Sequence, residues 1–409
     1  MVAPSGSYRI SAYVEAAKAL DRPILVISNS EHSLVPEIAN GITVDFSDPA
    51  KALAESLVVL DAIDIACVIA TDDRCVELCS RIADHFGLPQ NNIAAAQITQ
   101  RKDLGRAVLR NAGCKVPEFE VIELNATAPV ETSLDYPVVI KPLGLAASRG
   151  VIRADNREEF LSACARIDMI LEQADQRGYA RDHLLVESYL DGDEYAIEGF
   201  MLDGEFHRLA IFDKPEPLTG PFFEETYYLT PTRLSASSQN ELLAEVAACC
   251  AAYGLEQGPV HAEARFTADG PVLLELAART IGGQCGQLIE FSLQQKLEEL
   301  VIRGMCGLLP EAPEAGEAAG VLMIPITERG ILKRIEGLTA AMQTPFVKDV
   351  EIHINPGYEL VPLPEGASYL GFIFAQAPDF EQTYAALKTA HAKLRFVTQP
   401  NWQLELRSG

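Results

Sequence analysis

Residues 258–283 read GPVHAEARFTADGPVLLELAARTIGG, and the fold of the whole chain is decided there. Two alternating runs flank Ala268-Asp269-Gly270, a turn signal between strands. On the first run His261, Glu263 and Arg265 alternate with Val260, Ala262, Ala264 and Phe266, so the three polar side chains share one face. On the second, Glu275, Ala277 and Arg279 share a face, and Leu274 and Leu276 point the other way. A three-residue loop that pairs Thr267 with Pro271 sets Glu263 directly opposite Glu275. Like charges facing each other across a ladder destabilise it unless a positive charge lies between them. Carboxylates about 5 Å apart at Cβ hold a hard divalent cation such as Mg²⁺ when phosphate oxygens complete its shell. Arg279 reaches the same space, and Gly282-Gly283 opens the backbone beside it. A surface hairpin with two solvated glutamates is the competing reading, so the rest of the chain has to supply the other parts of a metal–phosphate site.

Outward toward the N-terminus, a strand is expected over 184–187, with 195–201 as its hairpin partner. Between them, extended backbone at Tyr189 and Leu190 can meet an adenine, with Glu187 accepting from its 6-amino group and Glu194 from ribose hydroxyls. An ordinary charged hairpin reads the same way. Further back, a strand over 137–141 ends at Lys141 and runs into a loop with Gly144, Ser148, Arg149 and Gly150. Such a small-residue loop brings backbone amides against a polyphosphate, and Lys141 adds a point cation. No Gly-Lys-Ser/Thr closes it, so this is not the Walker pattern. A helix over 156–178 is expected to cover it. Residues 213–226, DKPEPLTGPFFEET, carry four prolines or glycines in their first nine positions and read as a substrate lid or a rigid connector.

Residues 1–100 alternate helix (13–20), strand (24–28), strand (65–70) and a helix through Phe86 that Gly87 breaks. That alternation predicts an open parallel α/β sheet with ligands at the carboxyl ends of its strands. A helix over 102–112 ends at Gly113. On the other side of the hairpin, helices are expected over 239–253 and 293–303, the second stopped by Gly304. Residues 310–320 read as a linker. Beyond them, strands over 320–326, 350–354 and 370–375 and a helix over 380–394 make a small α+β cap.

With 409 residues the chain is long for one core, and two or three domains are expected. Lys+Arg number 33 against 58 Asp+Glu, and a formal net charge of −25 argues against nucleic acid as a partner. Any bound phosphate therefore needs a local cluster of cations, amides or metal. No apolar run approaches the ~20 residues that span a bilayer, so no membrane partner is expected. The start, MVAPSG, lacks the parts of a signal peptide. Nine scattered cysteines without a Cys-x-x-Cys fit reduced thiols in a cytoplasmic chain.

The ordered set Lys102, Lys141 with its loop, Glu187 to Glu194, GPVHAEAR and ELAARTIGG resembles the ATP-grasp superfamily of ligases. DKPEPLTGPFFEE and the C-terminal SYLGFIFA resemble its amino-acid (dipeptide) ligase branch, and the likeness runs over essentially the whole chain. The resemblance implies an α/β fold. Residues 1–100 would form an open parallel pre-ATP-grasp domain, 101–180 and 181–309 the two lobes of an α+β grasp, and 310–409 a C-terminal subdomain. It implies ATP and Mg²⁺ or Mn²⁺ as cofactors, and small carboxylate and amine substrates of the amino-acid kind. The candidate assembly is a homodimer.

By the same resemblance Lys102 and Lys141 contact phosphates, Ser148, Arg149 and Gly150 form the phosphate loop, and Glu187, Tyr189, Leu190 and Glu194 hold adenosine. Glu263 and Glu275 bind the metal, and Arg279 sits at the reacting carboxylate. Gly282 and Gly283 lie beside the substrate, and Glu225 and His261 are expected to face its ammonium or carboxyl groups. The implied reaction makes an acyl phosphate from the carboxylate and an amide from the amine. One departure stands out. The metal-ligating Asn common in the superfamily two residues after the second Glu is Ala277 here. Rival readings are an ATP-grasp carboxylase or purine-pathway ligase, and a non-catalytic nucleotide-binding partner.

Overall fold

The computed structural model describes residues 1–29, 40–124, 130–308 and 316–400. In chain order, α1 (Arg9–Ala19), β1 (Leu25–Ser28), β2 (Asn40–Thr43), α2 (Pro49–Leu60), α3 (Asp73–Phe86), α4 (Ile93–Thr99) and α5 (Lys102–Ala112) come first. They are followed by β3 (Phe119–Glu123), β4 (Val138–Pro142), β5 (Ile152–Ala154), α6 (Arg157–Gln173), α7 (Tyr179–Asp182) and β6 (His183–Ser188). Next are β7 (Asp193–Leu202), β8 (Glu205–Lys214), β9 (Tyr227–Thr230), α8 (Ala236–Tyr253), β10 (Gly258–Thr267), β11 (Gly270–Ala277), α9 (Gly286–Leu293) and α10 (Leu297–Met305). The C-terminal elements are β12 (Ala318–Ile324), β13 (Gly330–Glu336), α11 (Leu338–Met342), β14 (Val347–Ile352), β15 (Glu359–Leu360), β16 (Gly371–Ala377), α12 (Phe380–His391) and β17 (Arg395–Gln399).

These elements divide into two compact units, each assembled from three stretches of chain. Unit 1 comprises Met1–Val116, Tyr195–Phe212 and Thr232–Gly316, and unit 2 the remainder. Unit 1 opens with the expected parallel arrangement, in which β1 pairs with β2 in parallel. Val2, fully buried, bridges in parallel to Ile27 on one side and to Ala70 on the other. The expected strand over 65–70 is thus reduced to a bridge, because its neighbour is only the short stretch at Met1–Ala3. Asp72 caps α3 through the Arg74 N–H, and Gly87 ends it with φ 64°, a left-handed value that suits glycine. Packed on this unit's second layer are β7, β8, β10 and β11, whose apolar faces share one core with α4, α5 and α8, including Ile197, Val246, Ala262 and Leu276.

In unit 2, β3, β6, β4 and β5 form a four-stranded sheet in that order, covered by α6 through Phe160, Ile167 and Leu171. Strands β9, β12, β16 and β14 pair in succession under α12, and β15, β13 and β17 make a further small sheet.

Several expectations need correction. The run 195–201 is not a hairpin partner of 184–187. Strand β6 pairs with β3 and β4, whereas β7 is placed beside β10 and β8. Residues 189–192 therefore carry the chain from one sheet to another. Residues 293–303 are not one helix: Leu293 ends α9, which Gln294 caps with a left-handed φ of 54°, and α10 begins only at Leu297. Gly304 does not stop the second one but lies within it, where a Cβ would come within 2.6 Å of the Phe200 ring. Of the linker expected over 310–320, residues 310–315 lie outside the described residues, and 318–320 begin β12. Asp213 and Lys214 at the head of the expected lid are the end of β8. Phe222 bridges Ile152 and packs on the β4–β5–α6 core.

Candidate active site

The β10–β11 hairpin of unit 1 places Glu263 directly opposite Glu275. It reaches that pairing by a route other than the expected one. The turn is two residues long, with Thr267 paired to Gly270, and a β-bulge between Glu263 and Ala264 restores the register by leaving Leu274 unpaired. The carbonyl of Leu274 accepts from the guanidinium of Arg106 at 2.6 Å. A buried arginine on α5 thus stabilises the irregularity that aims the two carboxylates.

His261 stands across the ladder from Ala277 and is buried. Its Nδ1 meets Glu198 at 2.5 Å and its Nε2 meets Glu263 at 3.2 Å. Burial alone would lower its pKa, but Glu198 and Glu263 raise it to about 9, so the ring is cationic at neutral pH. Both ring nitrogens are engaged, Nδ1 with Glu198 and Nε2 with Glu263. Glu198, 1% exposed, also accepts from the Ile281 N–H at 2.9 Å.

Arg279, two residues past β11, is held by Asp73 at 3.0 Å from each carboxylate oxygen. Burial would lower its pKa; Asp73 and Glu275 outweigh that and raise it. The loop after it is fixed from behind by buried Arg9, which donates to the Thr280 carbonyl at 3.2 Å, to the Thr71 carbonyl at 3.3 Å and to the Ile281 carbonyl. Gly283 has φ 59°, and nothing lies within 4 Å of where a Cβ on Gly282 would stand, so the backbone there is open to a ligand. The facing carboxylates of Glu263 and Glu275 offer the oxygen donors that suit Mg²⁺. Lys102, also in unit 1, is the first residue of α5.

Unit 2 holds the other candidate residues. Lys141 on β4 pairs with Glu187 on β6 at 2.5 Å, both largely buried. The loop after β4 carries left-handed values at Ala147 (φ 56°), Ser148 (φ 53°) and Gly150 (φ 74°). Two successive non-glycine residues in that region store strain of the kind found at ligand clamps. The loop is tied down: the Gly150 N–H donates to the Pro364 carbonyl at 2.9 Å, and Arg149 Nε to the Glu365 carbonyl at 2.9 Å. Glu365 in turn takes a two-point contact from Arg166, at 2.6 and 2.9 Å.

At the sheet-to-sheet crossing, the Tyr189 N–H donates to the Pro137 carbonyl at 3.0 Å, and the Arg153 guanidinium lies over the Tyr189 ring. Leu190 follows it, partly buried. Glu194 pairs with buried Lys214 at 2.7 Å, and Glu225 pairs with the same ammonium. Five groups that carry this geometry, Arg9, Asp73, Glu198, Arg106 and Lys214, were not singled out in the sequence. Asp73 had a readable signal, since it begins the helix at the carboxyl end of an N-terminal strand, where ligands to such sheets gather. The others are separated in sequence from the groups they serve and carry no local pattern.

The chain matches the ATP-grasp domain family over residues 134–287 and the L-amino acid ligase C-terminal domain 2 family over 322–399. It is 26% identical over 376 residues to the uncharacterized protein y4rH of Sinorhizobium fredii, covering 90% of this chain and 76% of that one. To the alanine–anticapsin ligase of Bacillus subtilis it is 24% identical over 295 residues, covering 66% of this chain and 62% of the relative. The crystal structure of an L-amino acid ligase from Bacillus licheniformis superposes with a TM-score of 0.81 at 24% identity, over 97% of this chain and 98% of that one. These matches show that the chain carries an ATP-grasp domain followed by the C-terminal domain 2 of the L-amino acid ligases, the make-up of an ATP-dependent C–N ligase.

Proposed function

We propose that the protein joins two small amino-acid-type substrates, one through its carboxylate and the other through its amine. The observation that carries this reading is the facing pair Glu263–Glu275, with Arg279 fixed by Asp73 beside it. When bound, Mg·ATP supplies the phosphoryl group that turns an unreactive carboxylate into an acyl phosphate.

The chain's own residues do the rest. Glu263 and Glu275 hold the metal, and His261, fixed by Glu198, orients Glu263. Lys102, Lys141 and the backbone at Ser148, Arg149 and Gly150 take the phosphates, while Glu187, Tyr189, Leu190 and Glu194 take the nucleoside. Because Lys141 and Glu187 are paired with each other, binding exchanges part of that contact for ligand. Arg279 binds the reacting carboxylate and stabilises the oxyanion as the amine attacks; the C–N bond forms as the acyl C–O bond breaks and phosphate leaves. Gly282 and Gly283 let the substrate approach the backbone, and Glu225 receives an ammonium. Segment 215–226 keeps water from the activated carboxyl. Ala277, at the Asn position, stands across the ladder from His261.

Phosphate release from Mg·ATP, with the protein offered amino acids singly and in pairs and the products read by mass spectrometry, tests the reading. Stimulation by a pair, with a product lighter by one water than the two reactants, supports it. Nucleotide binding without turnover on any pair overturns it.

A further inference from the structure

Unit 1 holds a second cluster of metal-ligating atoms that the ligase reading does not use. Cys114 follows Gly113, the left-handed residue that ends α5, and its N–H returns to the Leu109 carbonyl at 3.0 Å. Glu245 and Cys249 lie one turn apart on α8, so helical spacing puts both on one face. The two sulfurs and a Glu245 carboxylate oxygen lie within 4.8 Å of one another. Cys249 Sγ donates to Glu245 Oε1 at 3.8 Å, and the Lys115 backbone N–H donates to the same oxygen at 3.0 Å.

We propose that Cys114, Cys249 and Glu245 form a binding site for one thiophilic divalent cation of the Zn²⁺ type, with water as the fourth ligand. Two thiolates favour such an ion strongly over Mg²⁺, so the site does not compete for the ion of the acidic hairpin. Zinc–sulfur bonds of about 2.3 Å put two sulfurs on one tetrahedral ion roughly 3.8 Å apart. The present spacing reaches that by side-chain rotation, with the two thiol protons released to solvent. The Lys115 N–H already orients the carboxylate, as an outer hydrogen bond does at built metal sites.

Burial is graded in the way an ion needs. Cys249 is buried in the core shared by α8 and the hairpin, whereas Cys114 and Glu245 are partly exposed and leave a side for the ion and its water. Packing explains two thiols beside a core, but it does not by itself bring a carboxylate oxygen within 4.8 Å of both. Lys115 also donates to the Asp269 carbonyl in the β10–β11 turn. A cation here would therefore fasten residues 113–116, where the chain leaves unit 1, to α8 and to the far end of the hairpin that bears Glu263 and Glu275.

The test uses the reduced, untagged full chain, stripped of metal and dialysed against Zn²⁺ with Mg²⁺ in large excess. Retained zinc is counted by mass spectrometry, affinity is measured by chelator competition, and Co²⁺ is used in parallel to reveal thiolate-to-metal absorption. One zinc per chain is expected. Cys114→Ser and Glu245→Gln should each weaken it by at least about tenfold, and Cys114→Ser should abolish or diminish the cobalt band. Cys114 is partly exposed, so that variant decides the matter even if Cys249→Ser fails to fold. The double variant Glu263→Gln/Glu275→Gln should keep its zinc. No retained zinc, zinc held equally by Cys114→Ser, or zinc lost with the hairpin glutamates would each overturn the proposal.

Discussion

In unit 2 the lysines are already answered by acids: Lys141 lies 2.5 Å from Glu187, and Lys214 lies 2.7 Å from Glu194 and also contacts Glu225. In unit 1 the hairpin sets Glu263 against Glu275, and the nearby cations His261 and Arg279 are shared with Glu198 and Asp73. The first arrangement is closed, since removing one partner strands the other in a buried place. The second sets two carboxylates face to face across a ladder, an arrangement that like-charge repulsion disfavours unless a cation lies between them. Proteins commonly hold buried charges as satisfied pairs. A facing acidic pair departs from that habit, which is why the proposed reading puts a cation there.

This contrast can be broken first at the hairpin. Glu275→Ala should lower ATP turnover by at least about 10²–10³-fold, while the melting temperature stays close to that of the parent. A collapse of both activity and stability would make this glutamate structural. Next, Lys141→Met should cost about 3–5 kcal/mol by denaturant titration, because buried Glu187 loses the ammonium that pairs with it. The double variant Lys141→Met/Glu187→Leu should recover most of that loss. Additive losses would show that the two side chains do not act as a pair. Glu198→Ala belongs to the same scale, since it exposes the His261 cation and the Ile281 N–H to an empty space.

Much of this was legible beforehand, and the limits are instructive. The pairing of Glu263 with Glu275 was expected from alternation together with a three-residue loop, and that loop was one residue too long. The bulge at Leu274 absorbed the difference, and bulges leave little mark in a sequence when no glycine forms them. Helix α5 was readable at both ends, because Gly113 takes a left-handed φ of 81° there. The sheet change at Tyr189 was not, since a strand–turn–strand pattern looks the same whether the strands pair or part. Strands β13 and β17 were missed because their pairing is far apart in sequence and their faces are mixed. His261 illustrates the limit at the site itself. Its position was plain, but Glu198 lies 63 residues away, so its engagement was invisible.

The smallest effect concerns the loop latch of unit 2. Arg166 holds the Glu365 carboxyl below the usual carboxylate range. A carboxyl with a depressed folded-state pKa adds stability that is present above its unfolded pKa and lost as pH falls through the folded value. Glu365→Gln should therefore cost less than about 1 kcal/mol near neutral pH, because the pair is partly solvent-screened. That cost should vanish in the acid range, and amide exchange at residues 147–150 should quicken. A cost independent of pH would remove the ion pair from the explanation.

The most direct measurement of the central claim is the melting temperature of Glu275→Gln, with and without Mg²⁺ and a non-hydrolysable ATP analogue. The account predicts a ligand-free variant at least as stable as the parent and a loss of the metal-dependent rise that the parent shows. A variant that is markedly less stable without ligand, yet retains the full metal-dependent rise, would contradict it.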